Sequence, residues 1–189
     1  MSYDSAATRA RLIEAAYWEF AEFGLAGARV DRIADAARAN KQAIYAYFGS
    51  KTHLFDAVLI DRLDALADAV PFDASDLPGY AGAMFDALNA TPELLRLTGW
   101  RALERGDTGP GWVDSHLDKA RKLRKATGLR DDNAAIDILE IVIAMSSAWV
   151  SLPKELRAVG TTDAATRQLA HRDMVVKAVT AIQDALLAR

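Results

Sequence analysis

One stretch of the chain carries side chains suited to reading an anionic polymer. Lys41-Gln42-Ala43-Ile44-Tyr45 follows Asn40, a residue type that caps helix starts. Lys41, Gln42, Ala43 and Tyr45 then fall near the exposed start of a short helix. Ammonium and amide groups match purine edges, and an alanine methyl meets a thymine methyl, in a major groove about 12 Å wide. A helix start also offers free N–H groups and partial positive charge to phosphates. For Lys41 and Gln42 the alternative is a solvated surface, and for Tyr45 it is packing.

Reading by such a helix requires a brace. The pattern supplies one in a first helix carrying Leu12, Ile13, Ala16, Phe20 and Phe23 at helical spacing and stopped by Gly24. A short second helix runs from Val30 to about Ala37, with Val30, Ile33, Ala34 and Ala37 on one face. The third runs from Asn40 to about Tyr47, with Ile44 and Phe48 inward. Two short helices joined by a tight turn on a longer one make a helix-turn-helix candidate.

Over residues 9–60 the chain resembles the TetR-type transcriptional regulators. Phe20, Gly24, Ile33-Ala34, Ile44-Tyr45, Tyr47-Phe48, Ser50-Lys51 and Leu54 carry the likeness. The resemblance implies base contacts from Lys41, Gln42, Ala43 and Tyr45. It implies phosphate contacts from Tyr47 and Lys51, and from Arg29 at the start of the second helix. It also implies a homodimer on a palindromic DNA operator, with reading helices about 34–36 Å apart. Three departures stand out. Arg38 occupies the turn position usually held by glycine. Ala28-Arg29 replaces a threonine pair, removing the hydroxyl cap. Trp18 stands where a polar residue is usual, and Glu19 sits near the core stripe.

Composition sets the wider frame. The 189 residues are 51% apolar and 26% charged, which suits an ordinary globular chain with a real core. With no cysteine, disulfides and thiol chemistry are excluded. The net charge of −3 argues against a wholly cationic nucleic-acid coat. Residues 1–51 nevertheless hold seven basic against six acidic side chains, while residues 52–189 hold sixteen against twenty. The front of the chain escapes the acidic bias of the rest, as an anionic partner requires. Met1 to Arg11 has no apolar block, so it does not read as a signal peptide. The most apolar run, Ile136 to Leu152, is interrupted by Asp137 and Glu140 and reads as a buried helix, with no membrane span. A cytoplasmic home is expected.

The pattern thus predicts an all-α protein: a helix-turn-helix DNA-binding domain over 1–51, then a helical ligand-binding and dimerisation domain over 52–189. Ser50 caps a long fourth helix that Pro71 ends. Further helices are expected over 78–89, 92–105, 111–126, 133–152 and 171–188, with polar loops at 107–110 and 160–163. The resemblance puts a small-molecule effector in the rear domain. Met84, Phe85, Leu88, Leu97, Trp100, Trp112, His116, Leu139, Ile143 and Trp149 are candidates to line an apolar, aromatic site there. Core packing is the alternative for each. Trp112 and His116, four apart, share a helix face.

The eighth helix is apolar nearly all round. The last has a stripe of Val175, Ala178, Ile182, Ala185 and Arg189 flanked by Met174, Val179 and Leu186. Two such helices from each of two chains would form a four-helix dimer interface. An effector that prefers the DNA-incompetent state would tilt helix four and spread the reading helices. No phosphate-binding glycine loop, nucleophile elbow or metal-protease motif is found, so no enzyme activity is expected. Histidines at ligand spacing are also lacking, so no metal and no cofactor is expected. A helical protein-interaction adaptor without DNA binding is the rival function.

Overall fold

The structure is a computed structural model that describes residues 2–107, 111–160 and 163–188. Among these every regular element is helical: α1 Ser2–Gly27, α2 Val30–Ala36, α3 Lys41–Phe48, α4 Lys51–Ala69, α5 Leu77–Ala90, α6 Pro92–Arg105, α7 Trp112–Thr127, α8 Asp132–Ser151, α9 Lys154–Arg157 and α10 Ala164–Leu187. The all-α class is therefore as the sequence predicts. Parts of both expected polar loops, 108–110 and 161–162, lie outside the described residues, as does Arg189 of the expected α10 stripe.

The chain forms two compact units, residues 1–65 with 93–110 and residues 66–92 with 111–189. This division differs from a boundary after residue 51. The first part of α4 and all of α6 pack with the front helices. The physical reason is visible in α6. Its Leu94 and Leu97 are buried, and its buried Arg101 is ion-paired to Asp56 of α4 and, at 2.6 Å, to Asp107.

In the first unit the inward face of α1 (Leu12, Ile13, Ala16, Phe20) meets Ile33, Ala34 and Ala37 of the α2 segment, Ile44 and Phe48 of α3, and Leu54, Phe55 and Val58 of α4, all buried. Phe20 and Phe55 pack edge to face at 5.0 Å. Burying a side chain of this size contributes about 1.5–3 kcal/mol.

The first helical run stops at Gly24, as its type predicts, and a further turn resumes beyond this kink to complete α1. Gly24 has φ 68° and ψ −177°, a conformation open essentially to glycine alone. The kink frees the N–H groups of Leu25 and Ala26. The Glu104 carboxylate of α6 accepts both, at 2.7 and 3.2 Å. The Trp100 indole also donates to the Ala21 carbonyl at 3.3 Å.

In the second unit α5 packs on α8 and α10, and α7 packs on α8. Leu77, Ala81, Met84, Phe85 and Leu88 of α5 are buried with Leu139, Val142 and Trp149 of α8 and Val175, Val179 and Leu186 of α10. Arg172 of α10 grips Asp86 of α5 with two nitrogens.

Two elements differ from the sequence expectation. The helix α10 starts at Ala164, seven residues ahead of His171, because Asp163 caps it by accepting the Ala165 and Thr166 N–H groups, each at 3.0 Å. The four-residue α9 was not expected; it follows Pro153. By length and composition alone α8 is apolar enough to cross a membrane. Here its Leu139, Val142, Ser146 and Trp149 face the protein core.

Candidate nucleic-acid interface

The turn between α2 and α3 is a Schellman motif, a helix end closed by two reversed hydrogen bonds. The Ala39 N–H donates to Ala34 at 3.0 Å, and the Arg38 N–H donates to Asp35 at 3.1 Å. Arg38 takes the left-handed position with φ 51°, and it is the described non-glycine residue with positive φ. From α1, Arg11 Nε donates to the Ala37 carbonyl at 3.1 Å, using an acceptor that the helix end leaves free.

Asn40 then caps α3, its Oδ1 accepting the Ala43 N–H at 2.8 Å. Ile44 and Phe48 anchor α3 inward, so its opposite face is open. On that face Lys41 and Gln42 are exposed, as is Tyr45 at 47%. Ala43 is half-buried. The Lys41 ammonium meets both oxygens of Asp31 on α2, at 2.9 and 3.1 Å, which holds its pKa above the ordinary lysine value.

The residues implied to meet phosphates are placed less simply. Tyr47 is half-buried, and its O–H donates to Ser5 Oγ of α1 at 3.0 Å. Lys51 Nζ donates to the Ala28 carbonyl at 3.0 Å and to the Ala26 carbonyl at 3.4 Å, across the end of α1. Arg29 has an exposed side chain, while its N–H donates to Glu19 Oε1 at 2.7 Å.

Glu19 is the residue whose role sequence reasoning missed. It is 9% exposed, and it accepts from the Arg29 backbone and from the Arg32 guanidinium, whose pKa it raises. A carboxylate from α1 thus accepts the N–H of the N-cap residue itself, the bond a capping-box glutamate makes, while no side chain takes the place of the absent hydroxyl cap on α2. The only advance signal was a charged residue beside an apolar stripe.

The ten residues offered as effector lining are divided between the two units. Leu97 and Trp100 belong to the first unit, where Trp100 stands against Gly24. Met84, Phe85, Leu88, Leu139 and Trp149 are buried core of the second unit, and Ile143 is half-buried. Trp112 and His116 do meet, with rings stacked 4.5 Å apart.

His116 Nδ1 lies 2.9 Å from the Trp112 carbonyl and so carries a proton; the buried Nε2 has no hydrogen-bond partner among the described residues and lies 3.6 Å from Glu140 Oε1. Tyr80, 3% exposed, buries an O–H that likewise lacks a partner. Its pKa is pushed up to about 12, mainly by burial and further by Glu140. Among the described residues, no group of three or more metal-ligating side chains is found.

The comparisons with known proteins agree with this geometry. Residues 12–58 match the family model for bacterial regulatory proteins of the tetR family. Residues 76–180 match the model for a tetracyclin repressor-like C-terminal domain. The chain is similar to the HTH-type transcriptional repressor SCO4008 of Streptomyces coelicolor, 42% identical over 189 residues, covering 96% of this chain and 97% of that protein. It is also similar to the crystal structure of the putative transcriptional regulator SCO4942 from Streptomyces coelicolor. That match has a TM-score of 0.78 and 36% identity, and covers 93% of this chain and 97% of the other. Part of the chain resembles the HTH-type transcriptional repressor NicS of Pseudomonas putida, 42% identical over 52 residues, 28% of this chain and 24% of that protein.

A helix-turn-helix ahead of a helical rear domain, matched by both family models, defines a DNA-binding transcriptional regulator. The chain belongs to the TetR family. An adaptor that does not bind DNA is not favoured.

Proposed function

We propose that this protein is a repressor that sits on a palindromic operator as a homodimer and leaves it when a small apolar or aromatic effector binds. The observation that carries the reading is the exposed row of Lys41, Gln42 and Tyr45 on an α3 capped by Asn40 and anchored through Ile44 and Phe48. A rigid helix presenting ammonium, amide and phenol groups outward is what base-edge recognition needs. Arg29, Ala43, Tyr47 and Lys51 complete the proposed DNA surface, Tyr47 and Lys51 by exchanging their present partners for phosphate oxygens. The domain assignment, with DNA binding over 1–51 and ligand binding and dimerisation over 52–189, belongs to the same reading.

Dimerisation is assigned to α8 and α10. Ile141 and Met174 expose 43% and 64% of their surface, and Ala144, Ala181 and Ala185 are exposed beside them. Small residues let a partner's helices approach closely. The effector is assigned to the rear domain, where Tyr80 and His116 bury polar atoms without partners. Leaving such an atom unpaired costs about 1–3 kcal/mol, which a bound molecule relieves. A cytoplasmic setting and the absence of catalysis follow from this role.

The test begins with selection from a duplex library of random sequence. The selected site should be a palindrome with half-sites one helical turn, or a multiple, apart, and affinity should fall steeply with salt. Lys41→Ala and Tyr47→Ala should each weaken binding to the selected duplex and leave the dimer intact by sedimentation. Parental affinity in both variants would refute the site; salt-independent binding would refute the mode.

A further inference from the structure

The ion pair between Asp31 and Lys41 joins the second residue of α2 to the first residue of α3. Its position is unusual for a surface that meets a polyanion. Asp31 is 71% exposed and Lys41 47%, so neither is needed to fill the core. Exposed pairs of this kind contribute little to folding. Yet the carboxylate grips the ammonium with both oxygens, at 2.9 and 3.1 Å. It also places a negative charge on the face assigned to DNA.

We propose that Asp31 is a specificity-determining positioning residue: it holds the Lys41 ammonium for base reading and keeps it off the phosphates. The inference rests on the reading that the start of α3 meets base edges. Lysine is a compact charge on a flexible four-carbon stem. Left free at a helix start, it swings to the nearest phosphate and contributes equally on every sequence. Held by Asp31 through both oxygens, it retains one of its three N–H donors for a purine acceptor.

The carboxylate acts a second time through its own charge. Its repulsion of phosphates applies to every duplex alike. Only a duplex that supplies the matching base acceptor offsets it. That uniform penalty cancels in the ratio of affinities, so discrimination arises from keeping the Lys41 ammonium off the phosphates, where it would strengthen every complex equally.

The experiment compares the full-length parent with D31N, D31E, K41M and the D31N/K41M double variant. The probes are a duplex library with a random core, the site the parent selects from it, and one random-sequence duplex. Freeing Lys41 adds about one phosphate contact. D31N should therefore steepen the salt dependence on the random duplex by about 0.9 in log–log slope, and bind it up to about eightfold more tightly at 0.1 M salt.

The ratio of selected-site to random-duplex affinity should fall. The site selected by D31N should lose base preference at the position K41M also loses. D31E should restore the parental ratio and slope. In the K41M background, D31N should change no base preference further.

A D31N protein that weakens on both duplexes by one factor would show a mere strut between helices and overturn the proposal. So would an unchanged ratio and slope while K41M still loses a base. If K41M keeps the parental site and affinity, the underlying reading of α3 fails, and the inference with it.

Discussion

Glu19 offers the sharpest check on how the reading unit is built. Its carboxylate, 9% exposed, accepts the Arg29 N–H at 2.7 Å and so supplies from α1 the bond to the N-cap N–H that a capping-box glutamate supplies locally. Losing a cap costs about 1 kcal/mol, within a range of about 0.5–2. The accompanying pair with Arg32 opens onto solvent and adds little. Glu19→Ala should therefore cost about 1–2 kcal/mol in urea unfolding followed by circular dichroism. For a chain of this size that corresponds to roughly 2–8 °C in melting temperature. Glu19→Gln keeps an acceptor for the N–H and should lose less. Adding Arg29→Thr to Glu19→Ala supplies a hydroxyl at the N-cap and should recover about 1 kcal/mol. A Glu19→Ala protein within about 0.5 kcal/mol of the parent would refute the contribution of this bond to the start of α2.

Further outcomes follow from single positions. Arg38 holds φ 51°, which costs an L-residue about 1–2 kcal/mol, while glycine there gives back part of that in chain entropy. Arg38→Gly should raise the melting temperature by about 1–4 °C and Arg38→Ala should not; equal effects would show that charge, not backbone, is at issue. His171 stacks on Phe85 and meets Trp149 at a tilt, and burial, with the Arg167 charge adding to it, holds its pKa below the ordinary 6.5. The unfolded chain then takes the proton first as pH falls. Stability from this site is complete above about pH 6.5 and declines below it. Melting curves from pH 8 to pH 5.5 should drop more steeply for the parent than for His171→Gln.

What the sequence revealed was mostly local chemistry. Asn40 and Ser50 both accept N–H groups three residues on, at 2.8 and 3.0 Å, as their types and places implied. The left-handed turn was legible only through the resemblance, which puts glycine at the position Arg38 holds. Partners distant in sequence were not legible. Glu104 meets Leu25 and Ala26 from 79 and 78 residues away, and no periodicity announces such a meeting.

The start of α10 escaped for a different reason. Asp163 is an ordinary cap, but Ala164 to Ala170 carries a single large apolar residue, Leu169, so no helical stripe marks the first two turns. Aromatic residues behind residue 99 suggested a ligand site by type alone. Type does not reveal which unit a helix joins. Trp100 went with α6 into the first unit, while Trp112 and Trp149 went into the second.

The kink at Gly24 ties these observations together and can be tested by adding one methyl group. A Cβ at this position would lie 2.7 Å from Glu104 Oε1 and 2.9 Å from Trp100 Cδ2. The backbone there is also closed to alanine, at a cost of about 1–3 kcal/mol before any clash. Relief by moving α6 would strip Leu25 and Ala26 of their acceptor, so each way out loses something. Gly24→Ala should destabilise the protein by about 3 kcal/mol or more. Gly27→Ala, whose methyl meets nothing nearer than Phe23 Cβ at 3.4 Å, should be close to neutral. The pair shares a residue type, a helix and a substitution, and differs only in backbone angle and in what α6 places beside it. If the two variants melt within about 2 °C of one another, Gly24 is neither strained nor crowded, and the account of how α6 anchors the bracing helix is wrong.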